Sequence, residues 1–309
     1  MAIARVIKKR IRSTKNIKQI TKAMQAVAAV KMRRSEEVAL AARPFAYAAL
    51  QMLKNVAGHS GEHAALSPLL AVREAPQKIC YVVITSDKGL AGSFNANVLR
   101  ASDVFLKKNS SSTVDIVAVG KKGRDYYARR GSTIMREFLG IGDSVSVEET
   151  KPISSFIQDV FVSGAYDEVH IVYTNFISAL KQDVVSRKIL PFTAETLEEV
   201  VAGITPLVGK YSDKGTEGAV HAEYLFEPSP QDVLHELLSS LLDIEIYHAV
   251  LEANASEHSS RMVAMKNASE NASELIDSLT ILYNKSRQAQ ITKELTEITA
   301  GTEALAVAS

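Results

Sequence analysis

The hydrophobic pattern is strongest near the C-terminal end of the chain. Residues 231–300 contain neither glycine nor proline, although the whole chain has 15 glycines and 8 prolines. Apolar or small residues recur there in steps of three, four and seven, at Leu241, Ile244, Leu251, Ala255, Met262, Met265, Ala272, Ile276, Leu279 and Tyr283. This heptad spacing predicts one helix that packs as a coiled coil. At about 1.5 Å per residue the helix would be roughly 105 Å long, so its seam needs a partner.

The N-terminal segment supplies that partner. Residues 3–56 lack glycine, and one helical stripe runs through Ile7, Ile11, Ile17, Ile20, Met24 and Val27, then through Val38, Ala42, Phe45, Ala49, Met52 and Val56. Pro44 is expected to bend this helix or to mark its thin point. Gly58 and Gly61 are expected to end it.

The two helices are predicted to be antiparallel, because both meet the same intervening segment. On this geometry residues i and j lie level when their numbers add to about 288. Met24 is then level with Ala264, and Ile7 with Ile281. The second helix continues alone beyond about Arg287.

Strand and helix patterns alternate through the middle of the chain. Strands are predicted at residues 78–86, 114–119, 168–174 and 184–190, and helices at residues 96–106, 122–130 and 152–162. A short strand is predicted at residues 222–226, and residues 195–221 have the weak pattern of a surface excursion. The alternation is typical of a doubly wound, mostly parallel sheet.

The expected fold class is therefore α/β plus a long antiparallel coiled coil. Its segments are an N-terminal helix over residues 1–57, an inserted α/β domain over residues 77–228 and a C-terminal helix over residues 231–305. The first and last segments form one discontinuous coiled-coil unit.

Charge is segregated along the chain, although the formal net charge is only +1. Residues 1–34 carry eleven lysines or arginines and no acid, whereas residues 227–257 carry seven acids and no lysine or arginine. The basic face of the first helix includes Arg10, Arg12, Lys15, Lys18, Lys31 and Arg33. Cations without acids one turn away repel one another, so an acidic partner is expected around them. A nucleic acid and an acidic protein collar both satisfy this expectation.

Composition and motifs exclude several classes of site. Cys80 is the single cysteine, so an internal disulfide and a cysteine-based zinc site are excluded. No apolar run reaches the ~18 residues of a membrane span. Nucleophile-elbow, zinc-protease and dithiol motifs are missing, so no catalytic constellation is predicted, and no cofactor or metal is expected.

The turn at residues 87–93 is the one candidate for nucleotide binding. It follows the first predicted strand of the insert and precedes a helix, where a dinucleotide-binding fold places its phosphate loop. Gly89 and Gly92 are spaced as G-x-x-G, however, which matches neither common phosphate-loop pattern. A tight structural turn is the preferred interpretation, and a nucleotide-dependent enzyme is the less favoured one.

Several stretches carry a resemblance to a known family. Residues 11–16 (IRSTKN), 20–24 (ITKAM) and 27–33 (VAAVKMR) resemble the N-terminal signature of the F-type ATP synthase gamma subunits. Residues 256–258 (SEH), 261–268 (RMVAMKNA), 282–289 (LYNKSRQA) and 291–295 (ITKEL) resemble the C-terminal signature. The turn at residues 86–95 and residues 224–228 (YLFEP) fit the family's central domain.

The resemblance implies a rotor shaft without a catalytic site of its own. Members of the family couple rotation of the membrane c-ring to conformational changes at the catalytic beta subunits. The implied partners are the alpha and beta subunits, three of each, the epsilon subunit and the c-ring, with no nucleic acid. Membrane association is implied only through the c-ring. The alternative that the residues leave open is a basic coiled-coil scaffold that binds nucleic acid.

The resemblance also implies specific contact residues. Contacts with the beta-subunit lever region map to Lys22, Met24 and Arg261, and the upper contact, with the beta catch region, maps to Arg287 and Gln288. The redox-regulated cysteine pair of chloroplast members cannot be formed by Cys80 alone. Because the chain starts only a few residues before the first motif, the basic start is expected to be shaft and not a transit peptide. A bacterial subunit on the cytoplasmic face of the inner membrane is expected, with an organellar matrix location as the alternative.

Overall fold

Along the chain, one long helix precedes a five-stranded sheet domain and a second long helix follows it. The computed structural model describes residues 2–57, 67–73, 75–142, 145–193, 196 and 230–307. Helix α1 spans Ala2–Ala57, and the last helix, α5, spans Pro230–Val307. Both long helices predicted from the sequence are confirmed, and α1 continues through Pro44 as one helix.

The elements between the long helices alternate as predicted. They are a short 3-10 helix (Pro68–Leu70), β1 (Lys78–Ile84), α2 (Phe94–Lys108), β2 (Thr113–Val119), α3 (Lys121–Arg129), β3 (Ile134–Phe138), α4 (Val147–Val162), β4 (Glu168–Phe176) and β5 (Gln182–Leu190). The strand order is β3-β2-β1-β4-β5. β1 pairs in parallel with both β2 and β4, β2 pairs in parallel with β3, and β5 is antiparallel to β4. The sheet is thus mostly parallel.

The sheet is buried on both faces. On one face α2 and α3 cover Tyr81, Val83 and Ile116, and the ring of Tyr81 stacks on that of Phe105 with the centroids 4.3 Å apart. On the other face α4 and the N-terminal part of α5 form the larger core with Val82 and neighbouring strand residues. Burial on both faces explains why the central strands are continuous apolar runs.

Two details of the inserted domain differ from the prediction. The sequence pattern missed β3, because this edge strand buries little of its surface and contains Arg136 and Glu137. Helix α4 begins five residues before the predicted start at residue 152. Ser146 and Glu149 form a capping box at its N-terminus, and this cap begins the helix earlier than the proline that marked it in the sequence.

The carboxyl ends of β1 and β2 approach each other closely at Gly120. Its backbone has φ +93°, and a Cβ atom there would lie 2.0 Å from the carbonyl oxygen of Thr85. Only glycine fits both the dihedral and the space. The hydroxyl of Thr85 then accepts a hydrogen bond from the backbone N–H of Gly123, at 2.8 Å, which joins the end of β1 to α3.

Some predictions fall on residues that the structure does not describe. These are the helix end at Gly58 and Gly61, the strand at residues 222–226 and, apart from Thr196, the excursion at residues 195–221.

Contacts divide the chain into two compact units. One unit comprises residues 1–28 and 262–309, and the other comprises residues 29–261. The boundaries expected from the sequence, 1–57, 77–228 and 231–305, divide the chain by its helices and sheet domain and not by contacts. They stay a prediction.

In the first unit the helices pair along a heptad seam that is more polar than predicted. The buried α1 positions of this unit are Ile7, Thr14, Thr21 and Ala28, seven residues apart. On α5 the seam contains Met265 and Ala272, both buried, and the half-buried Ile276, Leu279 and Tyr283, as predicted.

Among residues 4–38 of α1, whose burial the structure describes, the predicted stripe is wrong at three positions; its members from Ala42 to Val56 lie outside those residues. Ile17, Ile20 and Val27 are 50%, 59% and 55% exposed, and they point away from the seam. Small and polar side chains, at Thr14, Thr21 and Ala28, occupy the buried positions instead. The hydroxyls of Thr14 and Thr21 are satisfied within α1, by donating to the carbonyls of Arg10 and Ile17, so their burial leaves these donors paired.

Candidate subunit interface

The compact unit of residues 1–28 and 262–309, called the coiled-coil unit from here on, has an outer surface with exposed apolar side chains. On α1 it carries Val6, Ile17, Ile20 and Val27, and on α5 it carries Leu275, Ile281, Leu282, Ile291, Leu295 and Ile298. Every residue from 291 to 302 is exposed. Apolar side chains on the outside of a helix pair, with polar ones inside, are typical of a surface that another protein covers.

Basic side chains lie on the same outer surface. Arg10, Arg12, Lys15 and Lys22 are exposed in the coiled-coil unit. Lys18 is half-buried, and its Nζ donates to Ser273 Oγ at 2.9 Å. In the other unit Arg33 is exposed, whereas Lys31 is half-buried and engaged with other groups of the chain. Most of the predicted basic face is therefore available to a partner.

The predicted contact residues of the coiled-coil unit lie at two levels. Met24 is half-buried beside the exposed Lys22, and Arg287 and Gln288 are exposed on α5. The bond between Lys18 and Ser273 places Arg287 about 14 residues above the level of Lys18, or roughly 21 Å along the axis. Lys22 and Met24 lie on the other side of that level. The structure therefore does not bring the two sets together.

Arg261 belongs to the other unit and is engaged within it. Only 9% of its surface is exposed. Its Nη2 donates to Glu257 Oε1 at 2.5 Å and to the carbonyl oxygen of Gly89 at 3.2 Å. The carbonyl of Gly89 belongs to the turn at residues 87–93. Arg261 thus ties α5 to this turn, a role that the sequence did not indicate.

The turn at residues 87–93 is occupied by the chain's own side chains. Asp87 Oδ1 accepts from the backbone N–H of Lys121 at 2.8 Å, and its Oδ2 accepts from that of Gly140 at 2.9 Å. The Asp87 carboxylate thus lies at the N-terminus of α3, the end of a helix that favours a negative charge. Ser86 and Asn95 hydrogen bond to each other across the turn. These contacts favour the interpretation as a structural turn.

Other chemistry-bearing groups are shielded or scattered. Burial, with a smaller effect of the Asp115 charge, raises the pKa of the Cys80 thiol to about 12, so this cysteine stays a thiol near neutral pH. Within the ranges given above, no cluster of three histidine, cysteine or acidic residues could hold a metal ion. Among those same residues, no helix has the length and hydropathy needed to cross a membrane.

Comparison with known proteins decides the family. A family model described as ATP synthase matches residues 4–305. A protein of Pelotomaculum thermopropionicum named ATP synthase gamma chain is 43% identical over 306 residues, covering 99% of this chain and 100% of that protein. A protein of the same name from Desulforamulus reducens is 44% identical over 307 residues, with coverage of 99% and 100%.

The chain belongs to the ATP synthase gamma chain family. Membership makes it a non-catalytic component of an F-type ATP synthase, in the central stalk. A solved structure of the Tetrahymena thermophila mitochondrial ATP synthase, described as central stalk and c-ring, matches with a TM-score of 0.59 and 25% identity, over 81% of this chain and 99% of that one. A chain of the Euglena gracilis mitochondrial enzyme matches with a TM-score of 0.65 and 20% identity, over 98% of this chain and 95% of that one, and supports the fold.

The prediction of the α1 seam from apolar residues missed its polar members, although the sequence contains a repeat that marks them. Ile7, Thr14, Thr21 and Ala28 repeat at intervals of seven, and Ser35, also buried, continues the repeat in the other unit. A search for apolar residues alone passes over threonine and serine. The hydrogen bonds of Asn254, Ser256 and Ser259 described below gave no sequence signal at all, because their acceptors are main-chain carbonyls.

Proposed function

We propose that the chain is the rotating shaft of its ATP synthase, coupling rotation of the c-ring to conformational changes at the catalytic beta subunits. The observation that carries the proposal is the distribution of side chains along residues 14–28 of α1. Small and polar residues are buried in the seam there, whereas Ile17, Ile20 and Val27 are exposed on the outside. A self-contained coiled coil would bury these residues. Their exposure beside a cationic face suits a shaft enclosed by other subunits.

An enclosed shaft must make different contacts at different angles. A ligand or partner shifts a conformational equilibrium only by its differential affinity for the two states. The basic residues are unevenly distributed around α1, with no acid among residues 1–34, so the attraction to acidic loops of the surrounding subunits changes as the shaft turns. Family membership favours such an acidic protein collar over a nucleic acid as the partner.

The contact residues are assigned by their match to the family motifs. Lys22, Met24 and Arg261 are proposed to meet the beta-subunit lever region, and Arg287 and Gln288 the beta catch region. For Arg261 this contact would compete with its bonds to Glu257 and Gly89. The exposure of Lys22, Arg287 and Gln288 suits direct contact.

The proposed partners are the alpha and beta subunits around the coiled coil and the epsilon subunit and c-ring at the sheet domain. The chain would then be a peripheral component held at the membrane through the c-ring. The high identity to chains from bacteria favours the cytoplasmic face of a bacterial plasma membrane.

Single-molecule rotation tests the proposal. Alpha and beta subunits are assembled with the chain on a surface, and a bead is attached to the sheet domain through a cysteine at the exposed Lys107. ATP hydrolysis is expected to turn the bead in one direction, and the isolated chain is expected to show no ATPase activity. Hydrolysis by the complex with the bead stationary would contradict the shaft role. The control is the same bead-labelled complex without ATP, in which no directed rotation is expected.

A further inference from the structure

The sheet has a crevice at the carboxyl ends of its parallel strands. From β1 the chain moves outward through β2 to β3, and then returns to place β4 on the other side of β1. In doubly wound folds ligands bind at this reversal point, outside the carboxyl ends of the strands. In this chain the crevice lies between the loops after β1 and β4. A cavity of about 180 Å³ lies at the same end of the sheet, where Asn254 of α5 faces the loops after β1, β2 and β3; its lining includes Thr85, Asp87, Gly120 and Gly142.

Two turns of α5 occupy this crevice. Residues 254–261, which we call the anchor segment, donate four side-chain hydrogen bonds to main-chain carbonyls at its rim. The donor and acceptor pairs are Asn254 Nδ2 to Gly142 at 3.2 Å, Ser256 Oγ to Thr174 at 3.1 Å, Ser259 Oγ to Ala179 at 2.5 Å and Arg261 Nη2 to Gly89 at 3.2 Å.

The acceptors are spread over the ends of three different strands. Gly89 follows β1, Gly142 follows β3, and Thr174 and Ala179 belong to the end of β4 and the turn after it. Contacts in several directions from one helix segment fix both its axial position and its rotation about its own axis. Hydrogen bonds are directional, whereas apolar burial is not.

Gln182, the first residue of β5, adds a reciprocal contact. Gln182 Nε2 donates to Ser259 Oγ, and Ser260 Oγ donates to Gln182 Oε1, both at 3.1 Å. Ser256 and Ser259 are fully buried. Removing the hydroxyl of Ser256 or Ser259 takes a donor from the carbonyl of Thr174 or Ala179, which costs free energy in a buried contact. The contact therefore depends on these two side chains.

We propose that the anchor segment positions α5 in the crevice of the sheet so that turning the sheet domain turns the helix without slip. This inference rests on the proposed shaft function. Asn254, Ser256, Ser259 and Arg261 act as positioning residues that set the torsional stiffness of the connection. The crevice that binds small ligands in other doubly wound folds holds, in this chain, a segment of its own shaft.

The experiment measures stiffness directly. The alpha, beta and gamma complex is held on a surface, a bead is attached at Lys107→Cys, and the angular variance of the bead is recorded while rotation is stalled by a slowly hydrolysed ATP analogue. The double variant Ser256→Ala with Ser259→Ala is expected to raise the variance at least twofold. Labelling is selective because the buried Cys80 is protonated near neutral pH.

Three further variants separate stiffness from folding. Ser278→Ala removes an exposed serine whose hydroxyl bonds only within its own helix in the structure, to Glu274, and is expected to leave the variance unchanged. Ser259→Thr keeps the hydroxyl and is expected to restore most of the stiffness relative to Ser259→Ala. Asn254→Ala, at a half-buried position, removes one anchor with little cost to the core and is expected to give an intermediate variance.

The outcomes distinguish the two proposals. If the unmodified complex does not rotate, the shaft function fails. If the unmodified complex rotates and both the double variant and Asn254→Ala fluctuate as Ser278→Ala does, the anchor role is overturned while the shaft function stands. Increased variance in Ser259→Ala that Ser259→Thr reverses supports the anchor role.

Discussion

Lys18 of α1 and Ser273 of α5 meet through a hydrogen bond of 2.9 Å between Nζ and Oγ. This contact fixes the relative level of the antiparallel helices. The sequence rule placed Lys18 level with residue 270, so the observed level is three residues further along α5, about 4.5 Å and less than one helical turn. The contact therefore agrees with the predicted antiparallel register to within one helical turn.

Cross-linking checks this level. With cysteines at Lys18 and Ser273, a short bismaleimide is expected to join the two helices rapidly. The matched pair with cysteines at Lys18 and Glu270, which is the level given by the sequence rule, is expected to react much more slowly because Glu270 is exposed and turned away. Peptide mapping after digestion measures both. Faster joining at Glu270 would show that the register is wrong.

The outward isoleucines should matter for assembly but not for folding. Ile20→Ser is expected to change the free energy of unfolding by less than about 0.5 kcal/mol, because the side chain is already exposed. Ile7→Ser, at a buried seam position, is expected to cost about 2 kcal/mol. Urea unfolding measures both. Assembly with alpha and beta subunits, followed by gel filtration, should be weaker for Ile20→Ser; unchanged assembly would contradict an enclosed surface.

The proposed upper contact predicts a charge effect on activity. Arg287→Gln removes an exposed cation, so the thermal midpoint of the isolated chain should stay the same while the ATPase rate of the assembled complex falls several-fold. Lys285→Gln changes an exposed cation on the same turn of α5 and is the matched control. Equal losses for the two variants would point to general electrostatics and not to a specific contact at Arg287.

Asp167 should make stability depend on acid pH. Its carboxylate accepts from Arg73 and from the backbone N–H groups of Lys78 and Gln77. The Arg73 hydrogen bond is the largest cause that lowers its pKa below the ordinary value. The lower folded-state pKa means that the contribution is complete above the ordinary pKa of about 4 and is lost as pH falls through the folded value.

Asp167→Asn is therefore expected to cost about 1 kcal/mol at pH 7, after allowance for the partial exposure of the ion pair. The cost should shrink below about pH 4, where the unmodified chain loses the same charge. Urea midpoints at several pH values measure this. An equal cost at pH 7 and at pH 3 would show that the charge contributes nothing.

The ion pair between Arg187 of β5 and Glu245 of α5 should behave as a buried pair. Arg187 Nε lies 3.3 Å from Glu245 Oε1, and both side chains are buried. Glu245→Leu alone is expected to cost about 3 kcal/mol because it leaves a buried cation without this partner. Adding Arg187→Met should recover most of the loss. Unfolding of the single and double variants measures the coupling, and additive losses would contradict it.

The sequence was most informative where burial is complete. β1 (residues 78–84) is apolar from residue 79 to its end, and β2 (residues 113–119) is apolar from residue 116 to its end, because helices cover both faces of the sheet there. Both strands were predicted within two residues. The edge strand β3 was missed because an edge has only one paired neighbour, and its exposed face accepts charged residues. The contact roles of Lys22, Arg287 and Gln288 stay predictions from motif resemblance, and the structure adds that these residues are exposed.

The sequence by itself determined the long helices, their antiparallel pairing and the α/β class, because these depend on periodicity and on the absence of helix-breaking residues. Only the tertiary structure decided which face of α1 is the seam, that Arg261 bonds to the turn at Gly89, and that residues 254–261 lie in the crevice. The physical reason for the first is that a seam of threonine and alanine has no apolar periodicity to reveal it. Hydrogen bonds to main-chain carbonyls, in turn, depend on where the chain lies and not on which residues supply the acceptors.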